Sequence, residues 1–166
     1  MNSSESKFSR IYDRYVDKIY RFVFIKVNSQ EVAEDLSSKV FLRTWDIFRQ
    51  DESKIQNPRA FLYQVARNLV IDHYRDKGRT QFVSVDNLDL PDPRASIHER
   101  AIVTADLIKV KQAMANLSDD YQNVIIWHYL DDLPIKEVSS MLNRSEDATR
   151  VLLSRALSSL RGHLTS

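Results

Sequence analysis

Apolar residues recur at three- and four-residue spacing through most of this chain, and the longest break in the period is a single stretch near its middle. In "KFSRIYDRYVDKIYRFVFIKV", residues 7–27, Phe8, Ile11, Tyr12, Tyr15, Ile19, Phe22 and Val23 fall on that spacing. The pattern predicts a helix with one buried face. A second helix is expected over about 29–49, with Asn28 as its N-cap and Glu31 as the reciprocal partner. It turns Leu36, Val40, Phe41, Trp45 and Phe48 toward a core. The polar run "RQDESKIQ" reads as a loop. Asn57 then caps a third helix, with Pro58 at the first position, where a missing N–H does no harm. Phe61, Leu62, Val65, Ala66, Leu69 and Val70 form its buried stripe, and Gly78 is the expected stop. Three helices in the first 79 residues make a small bundle.

Residues 80–95, "TQFVSVDNLDLPDPRA", break the period. Two prolines and four Asp or Asn residues mark a linker, and "FVSV" has no partner strand, so it is expected to be extended. Helical spacing resumes near residue 96. Ser118 is placed to cap "DDYQNVIIWHYL". Pro134 opens a short helix ending near Leu142, and Asn143 stands where a left-handed residue is wanted. Ser145 caps the next helix, whose Glu146 and Asp147 suit the positive end of its dipole. A short helix, a tight turn and a long helix have helix-turn-helix spacing, and Ser139 is small enough for the close crossing this needs. The expected fold is all-α: two small helical domains, 1–79 and 105–166, joined by an extended linker over 80–104.

Composition agrees. Only 2 Gly and 4 Pro in 166 residues favour long helices with short connections. At 43% hydrophobic and 28% charged, the chain is not disordered throughout. It has no cysteine, which fits a reducing cytosol and excludes a thiolate metal site. "MNSSESKFSR" has no signal-peptide core, and no run of about 18 apolar residues predicts a membrane span. A cytoplasmic location is therefore expected. Net charge is +1, unevenly spread. Residues 1–79 hold 15 basic and 11 acidic residues, a net +4; residues 80–104 are net −2 and 105–166 net −1. The stretch from Arg59 to Arg79 alone is net +3, a modest basic patch.

No enzyme signature is present: no Gly-rich phosphate loop, no HExxH and no nucleophile elbow. The four histidines (73, 98, 128 and 163) are far apart and pair with no carboxylate at metal-ligand spacing. His128 lies in an apolar run and reads as packed. No catalytic residue, metal or cofactor is expected.

Two helices invite a binding role. In "NPRAFLYQVARNLVIDHYRDKGR", Gln64, Asn68, Asp72 and Arg75 lie along one edge, with Arg67, His73 and Tyr74 beside them. Aromatics among Arg and Asn suit stacking and hydrogen bonding to unpaired bases; the bland reading is a solvated face. In the last helix, Thr149, Leu153, Ala156 and Leu160 should face the core, leaving Asp147, Arg150 and Ser154 outward and Arg144 in the turn. Arg pairs with guanine or phosphate, and Ser with either. Arg155 and Arg161 suit phosphates or simply the helix C-terminus. A pure packing role for the helix pair is the rival.

The blocks "AEDLSSKVFLRTW", "FLYQVARNLVIDHYR" and "LPIKEVSSMLNRS…LLSRALSSLR" together resemble the extracytoplasmic-function, or group 4, sigma factors of bacterial RNA polymerase, over about residues 8–163. The resemblance implies a two-domain subunit of core RNA polymerase. Its first domain would dock on the clamp helices of the largest subunit through Asp35, Lys39, Phe41, Arg43 and Trp45. Its third helix would melt the minus-ten element and hold the non-template strand, through Gln64, Arg67, Asn68, Asp72, His73, Arg75 and Arg79. Its second domain would sit on the flap of the other large subunit. There it would read the minus-thirty-five element in duplex promoter DNA through Arg144, Ser145, Arg150, Ser154 and Arg155. The acidic linker would mimic nucleic acid on its way toward the RNA exit path. An anti-sigma factor is a further candidate partner, and the free chain is expected to be a monomer.

Two departures stand out. Ser38 and Lys39 replace the family's usual Gln-Glu or Gln-Asp, reversing a charge on the polymerase-facing helix. Leu152 replaces a frequent Arg and Thr149 a frequent Val, in a domain of net −1. Phosphate contacts supply most non-specific affinity, so autonomous minus-thirty-five recognition should be weak and a DNA-bound helper protein or guide should supply the address. The alternatives are a helix-turn-helix regulator, which would dimerise to match paired half-sites, and a helical adaptor that binds only protein.

Overall fold

The computed structural model describes residues 3–79 and 104–165, in two compact units divided after Thr104. The linker expected over 80–104, with its "FVSV" run, lies outside the described residues apart from Thr104. All regular structure among the described residues is helical. No helix there is long and apolar enough to cross a membrane.

The first unit is built from α1 (Ser3–Lys26), α2 (Gln30–Gln50) and α3 (Pro58–Arg79). Each helix packs on the other two, burying Phe22, Val23, Ala33, Val40, Leu62, Tyr63 and Ala66 almost completely. Tyr63, outside the expected stripe, is fully buried, with its ring edge-on to Phe22 at 5.5 Å. Phe8 meets Trp45 and Phe48 at 5.2 and 5.7 Å, and Tyr12 meets Phe41 at 4.9 Å.

Helix boundaries follow side-chain capping. The N-cap of α2 is Ser29, not Asn28: the Ser29 hydroxyl accepts from the Val32 N–H at 3.2 Å, from an extended backbone at φ −144°. Two adjacent residues with capping side chains compete here, and the second wins. Asn57 caps α3 as expected, accepting from the Ala60 N–H at 3.2 Å. That helix runs past Gly78 to Arg79. The stretch read as a loop is mostly helical, since α2 reaches Gln50 and a 3-10 turn follows over Glu52–Lys54. The Asp51 carboxylate starts that turn, accepting from the Ser53 N–H at 3.0 Å and its hydroxyl at 2.6 Å. Glu52 ties the turn back to α1, accepting from the Ser4 hydroxyl at 2.6 Å and from Lys7 at 3.1 Å.

The second unit contains α4 (Ala105–Met114), α5 (Asp119–Val124) continued by a π-helical segment (Ile125–Leu130), α6 (Ile135–Leu142) and α7 (Glu146–Thr165). Ser118 caps α5, accepting from the Tyr121 N–H at 3.3 Å. From Ile125 to Leu130 the helix widens to π geometry. The widening lets the Asp131 N–H reach the Ile126 carbonyl and the Leu133 N–H reach the Trp127 carbonyl, both at 2.9 Å. It seats Trp127 and Leu133, both fully buried, in the core with Met114, Val124 and Val138. His128 is a packing residue, its Nδ1 2.8 Å from the Leu133 carbonyl.

The turn between α6 and α7 closes as the sequence predicts. Asn143 is left-handed, at φ 56° and ψ 46°. The Asn143 N–H donates to the Ser140 carbonyl at 3.2 Å and the Arg144 N–H to the Ser139 carbonyl at 3.0 Å, a Schellman closure. Ser145 then caps α7, accepting from the Ala148 N–H at 3.0 Å. Thr149 and Ala156 are fully buried. So is most of Leu152, at 9% exposed. Leucine at 152 therefore completes the core, and its presence removes no outward base contact.

Candidate nucleic-acid interface

At about 100° per residue, Asn68, Asp72 and Arg75 project roughly 40°, 80° and 20° from Gln64. All four are exposed, so α3 presents them as one polar edge. Ile71, 39% exposed, borders this edge, about 20° to the other side of Gln64. Asp72 and Arg75 form an ion pair at 3.6 Å, leaving the edge a mixture of amides and a balanced charge pair. Arg67 is half-buried on one flank of this edge. His73 is not on it: nine residues beyond Gln64, it projects about 180° away, half-buried, with its ring 5.4 Å from that of Tyr74. The Arg79 side chain lies outside the described residues.

The Tyr74 hydroxyl donates to the Lys26 carbonyl at the end of α1. Partial burial raises the phenol pKa above its ordinary value of 10.0, and the group is a protonated donor at neutral pH.

On α2, Asp35, Lys39 and Arg43 are exposed, and Lys39 is paired with Asp35 at 3.2 Å. The lysine that replaces the usual acid is thus partly neutralised by its own helix. Phe41 is buried and Trp45 half-buried. Both line a cavity of about 580 Å³ between α1 and α2, with Phe8, Tyr12 and Tyr20. The apolar residue that α2 does hold out is Leu42, 63% exposed. The sequence carries a signal for it, a leucine off the Leu36, Val40, Phe41 stripe.

The second unit presents Arg144, Ser145, Arg150, Ser154 and Arg155 as exposed residues of one turn and the helix after it. Two of the arginines are already engaged. Arg144 donates to Asp120 at 2.6 Å, and Arg150 donates to Asp147 at 3.1 Å and lies 3.9 Å from Glu146. Val151, 48% exposed, stands on the outward face between Asp147 and Ser154. An apolar side chain there can meet a thymine methyl.

The two units correspond to two known regions. The sigma-70 region 2 family matches residues 11–80, and sigma-70 region 4 matches residues 107–160. The extracytoplasmic-function RNA polymerase sigma factor SigM of Bacillus subtilis is 31% identical over 152 residues, spanning 88% of each chain. This chain belongs to the extracytoplasmic-function sigma factors of the sigma-70 family.

The sigma factor BldN of Streptomyces coelicolor is 27% identical over 154 residues; the match covers 92% of this sigma factor and 58% of BldN. Among solved structures, the sigma factor RpoE of Bartonella quintana, in complex with the anti-sigma factor NepR, superposes with a TM-score of 0.73 at 22% identity. It covers 96% of this chain and 97% of that one. CnrH, in complex with the cytosolic domain of CnrY, gives 0.68 at 18% identity, covering 97% and 89%. At those identities the likeness is one of fold.

Proposed function

We propose that this sigma factor binds core RNA polymerase, directs it to promoters and opens the minus-ten element, leaving the chemistry to the polymerase. In this reading, residues 1–79 and 105–166 act as the two working domains and 80–104 as the linker. The face of α2 carrying Asp35, Lys39, Leu42 and Arg43 docks on the clamp helices of the largest subunit. Leu42 also borders the α1–α2 cavity, with Phe41 and Trp45. The polar edge of α3 holds the displaced non-template strand, with Arg67 on its flank. The second unit sits on the flap of the other large subunit and meets the minus-thirty-five duplex through Arg144, Arg150, Ser154 and Arg155.

The observation that carries this reading is the edge Gln64, Asn68, Asp72 and Arg75, four exposed hydrogen-bonding side chains in register on a helix whose opposite side is core. Amide, carboxylate and guanidinium groups in line suit the Watson–Crick edges of unstacked bases better than a duplex backbone, which wants uniform positive charge. A free-standing helix-turn-helix regulator has no use for that edge.

Upstream recognition is proposed to be weak without help. Arg144 and Arg150 are engaged by carboxylates, and the unit is net −1 over residues 105–166. A DNA-bound helper would supply targeting. An anti-sigma factor is proposed as the partner that would hold the chain inactive.

The test is co-elution of the purified protein with core RNA polymerase from its own organism, followed by promoter opening with Arg67→Ala and Arg75→Ala. A stoichiometric complex whose opening activity falls in both variants supports the reading. A folded protein that forms no complex, alone or with DNA present, overturns it.

A further inference from the structure

Helix α3 outlasts the bundle that supports it. Its last buried residues are Leu69 and Val70, each 5% exposed, and from Ile71 to Asp76 no side chain is buried. Asp72 and Arg75, half of the proposed strand-holding edge, lie on this overhang. A helix end with no fully buried side chain frays readily, so the pitch of that edge depends on what ties the overhang down.

One tie is visible. The Tyr74 hydroxyl donates to the Lys26 carbonyl, 48 residues away at the last residue of α1. The last four carbonyls of a helix have no partner in their own helix and accept such a donor readily. Lys26 is itself a firm anchor. It is only 7% exposed, and its ammonium lies 5.1 Å over the ring of Phe22, which is fully buried.

We propose that Tyr74 is a positioning residue for strand capture: its hydroxyl pins the overhang of α3 to the end of α1 and so fixes Asp72 and Arg75 in the geometry that receives the unpaired strand. The inference rests on the strand-holding role given to α3 above. The competing role for Tyr74 is direct: the residue is 40% exposed, enough for its ring to stack on a base. The hydroxyl separates the two, because phenylalanine stacks as well as tyrosine and cannot donate.

The experiment uses holoenzyme reconstituted from full-length sigma variants. Its probe is a promoter fragment pre-melted by mismatches over the minus-ten element, its sequence taken from start sites mapped with wild-type holoenzyme. Tyr74→Phe, Tyr74→Ala and Arg75→Ala are compared, with amide hydrogen exchange of each free chain. The pin predicts that Tyr74→Phe weakens binding about fivefold, as one lost hydrogen bond would, and to nearly the same degree as Tyr74→Ala. Exchange should speed up by about as much over residues 71–76 and stay unchanged over 60–70. Binding by Tyr74→Phe at the wild-type level, with only Tyr74→Ala weakened, would show a stacking ring and overturn the pin. Wild-type binding by both would overturn it as well. Arg75→Ala tests the strand-holding role separately. Its silence would overturn that role and with it the purpose of the tie, whereas a weakened Arg75→Ala beside a silent Tyr74→Phe overturns the pin alone.

Discussion

Arg144 donates to Asp120 at 2.6 Å, joining the turn of the helix-turn-helix to the first turn of α5, 24 residues earlier in the chain. The pair closes the motif and also occupies a guanidinium that DNA would use. A phosphate approaching Arg144 meets the Asp120 carboxylate already paired with it, so the carboxylate opposes DNA. Asp120→Asn should therefore raise the affinity of the holoenzyme for upstream duplex. It should also steepen the dependence of log affinity on log salt by about 0.9, the signature of one more phosphate contact. The pair is partly exposed, so the cost in stability should be below about 1 kcal/mol. Fluorescence anisotropy across a potassium chloride series reads the first two quantities, and an unchanged slope would count against the competition.

The edge of α3 makes a different kind of prediction. Asn68→Ala and Arg75→Ala remove exposed side chains with no core role, so thermal stability should stay within about 0.5 kcal/mol of wild type. Opening of the minus-ten element should fall by roughly five- to a hundredfold, the range of about 1–3 kcal/mol for a lost base contact. Fluorescence of a 2-aminopurine placed in the element measures it. His73→Ala, off the edge, should leave opening within about twofold of wild type.

Docking should depend on Leu42. A leucine 63% exposed on a helix face with Asp35, Lys39 and Arg43 around it has the makings of an anchor inside a polar rim. Leu42→Asp should leave the free protein folded and weaken its complex with core polymerase at least about tenfold, the loss of one anchoring side chain. Competition against wild type on a sizing column detects this. Equal competition would move the docking site elsewhere.

How far the sequence carries this structure depends on the range of the interaction involved. Asn57, Ser118, Asn143 and Ser145 act within a few residues of themselves, and each is legible from its own side chain and its neighbours. Ser29 shows the limit of that reading, because Asn28 beside it has an equally suitable side chain. The π segment is set by Trp127 and Leu133 finding places in a core assembled from four helices, which local spacing does not encode. Leu152 and Tyr63 sit just beside the expected stripes, so a strict three-four count misses how wide the buried face is. The polar edge of α3 is legible from spacing. His73 is a candidate by its chemistry alone, and its angle places it about 180° from Gln64. The ties between Arg144 and Asp120 and between Tyr74 and Lys26 join distant residues, and no local pattern announces them.

Acid should loosen the first unit through Glu52. Its carboxylate accepts from the Ser4 hydroxyl at 2.6 Å and from Lys7 at 3.1 Å, binding the turn after α2 to the start of α1. The Ser4 bond, then the Lys7 bond, hold its pKa below the ordinary glutamate value of 4.5. A folded-state value lower than the unfolded one means that the unfolded chain binds the proton more tightly. The stability this gives is therefore fully present above the unfolded value and is lost as pH falls through the folded one. Asp51, lowered by the Ser53 hydroxyl and N–H, contributes in the same direction within the same turn. Glu52→Gln removes the titrating group while keeping an acceptor for Ser4. Melting temperatures recorded from pH 6 to about pH 3 should fall for both proteins, and less steeply for the variant below the ordinary glutamate value. Parallel curves would show that the Glu52 tie contributes nothing to acid sensitivity.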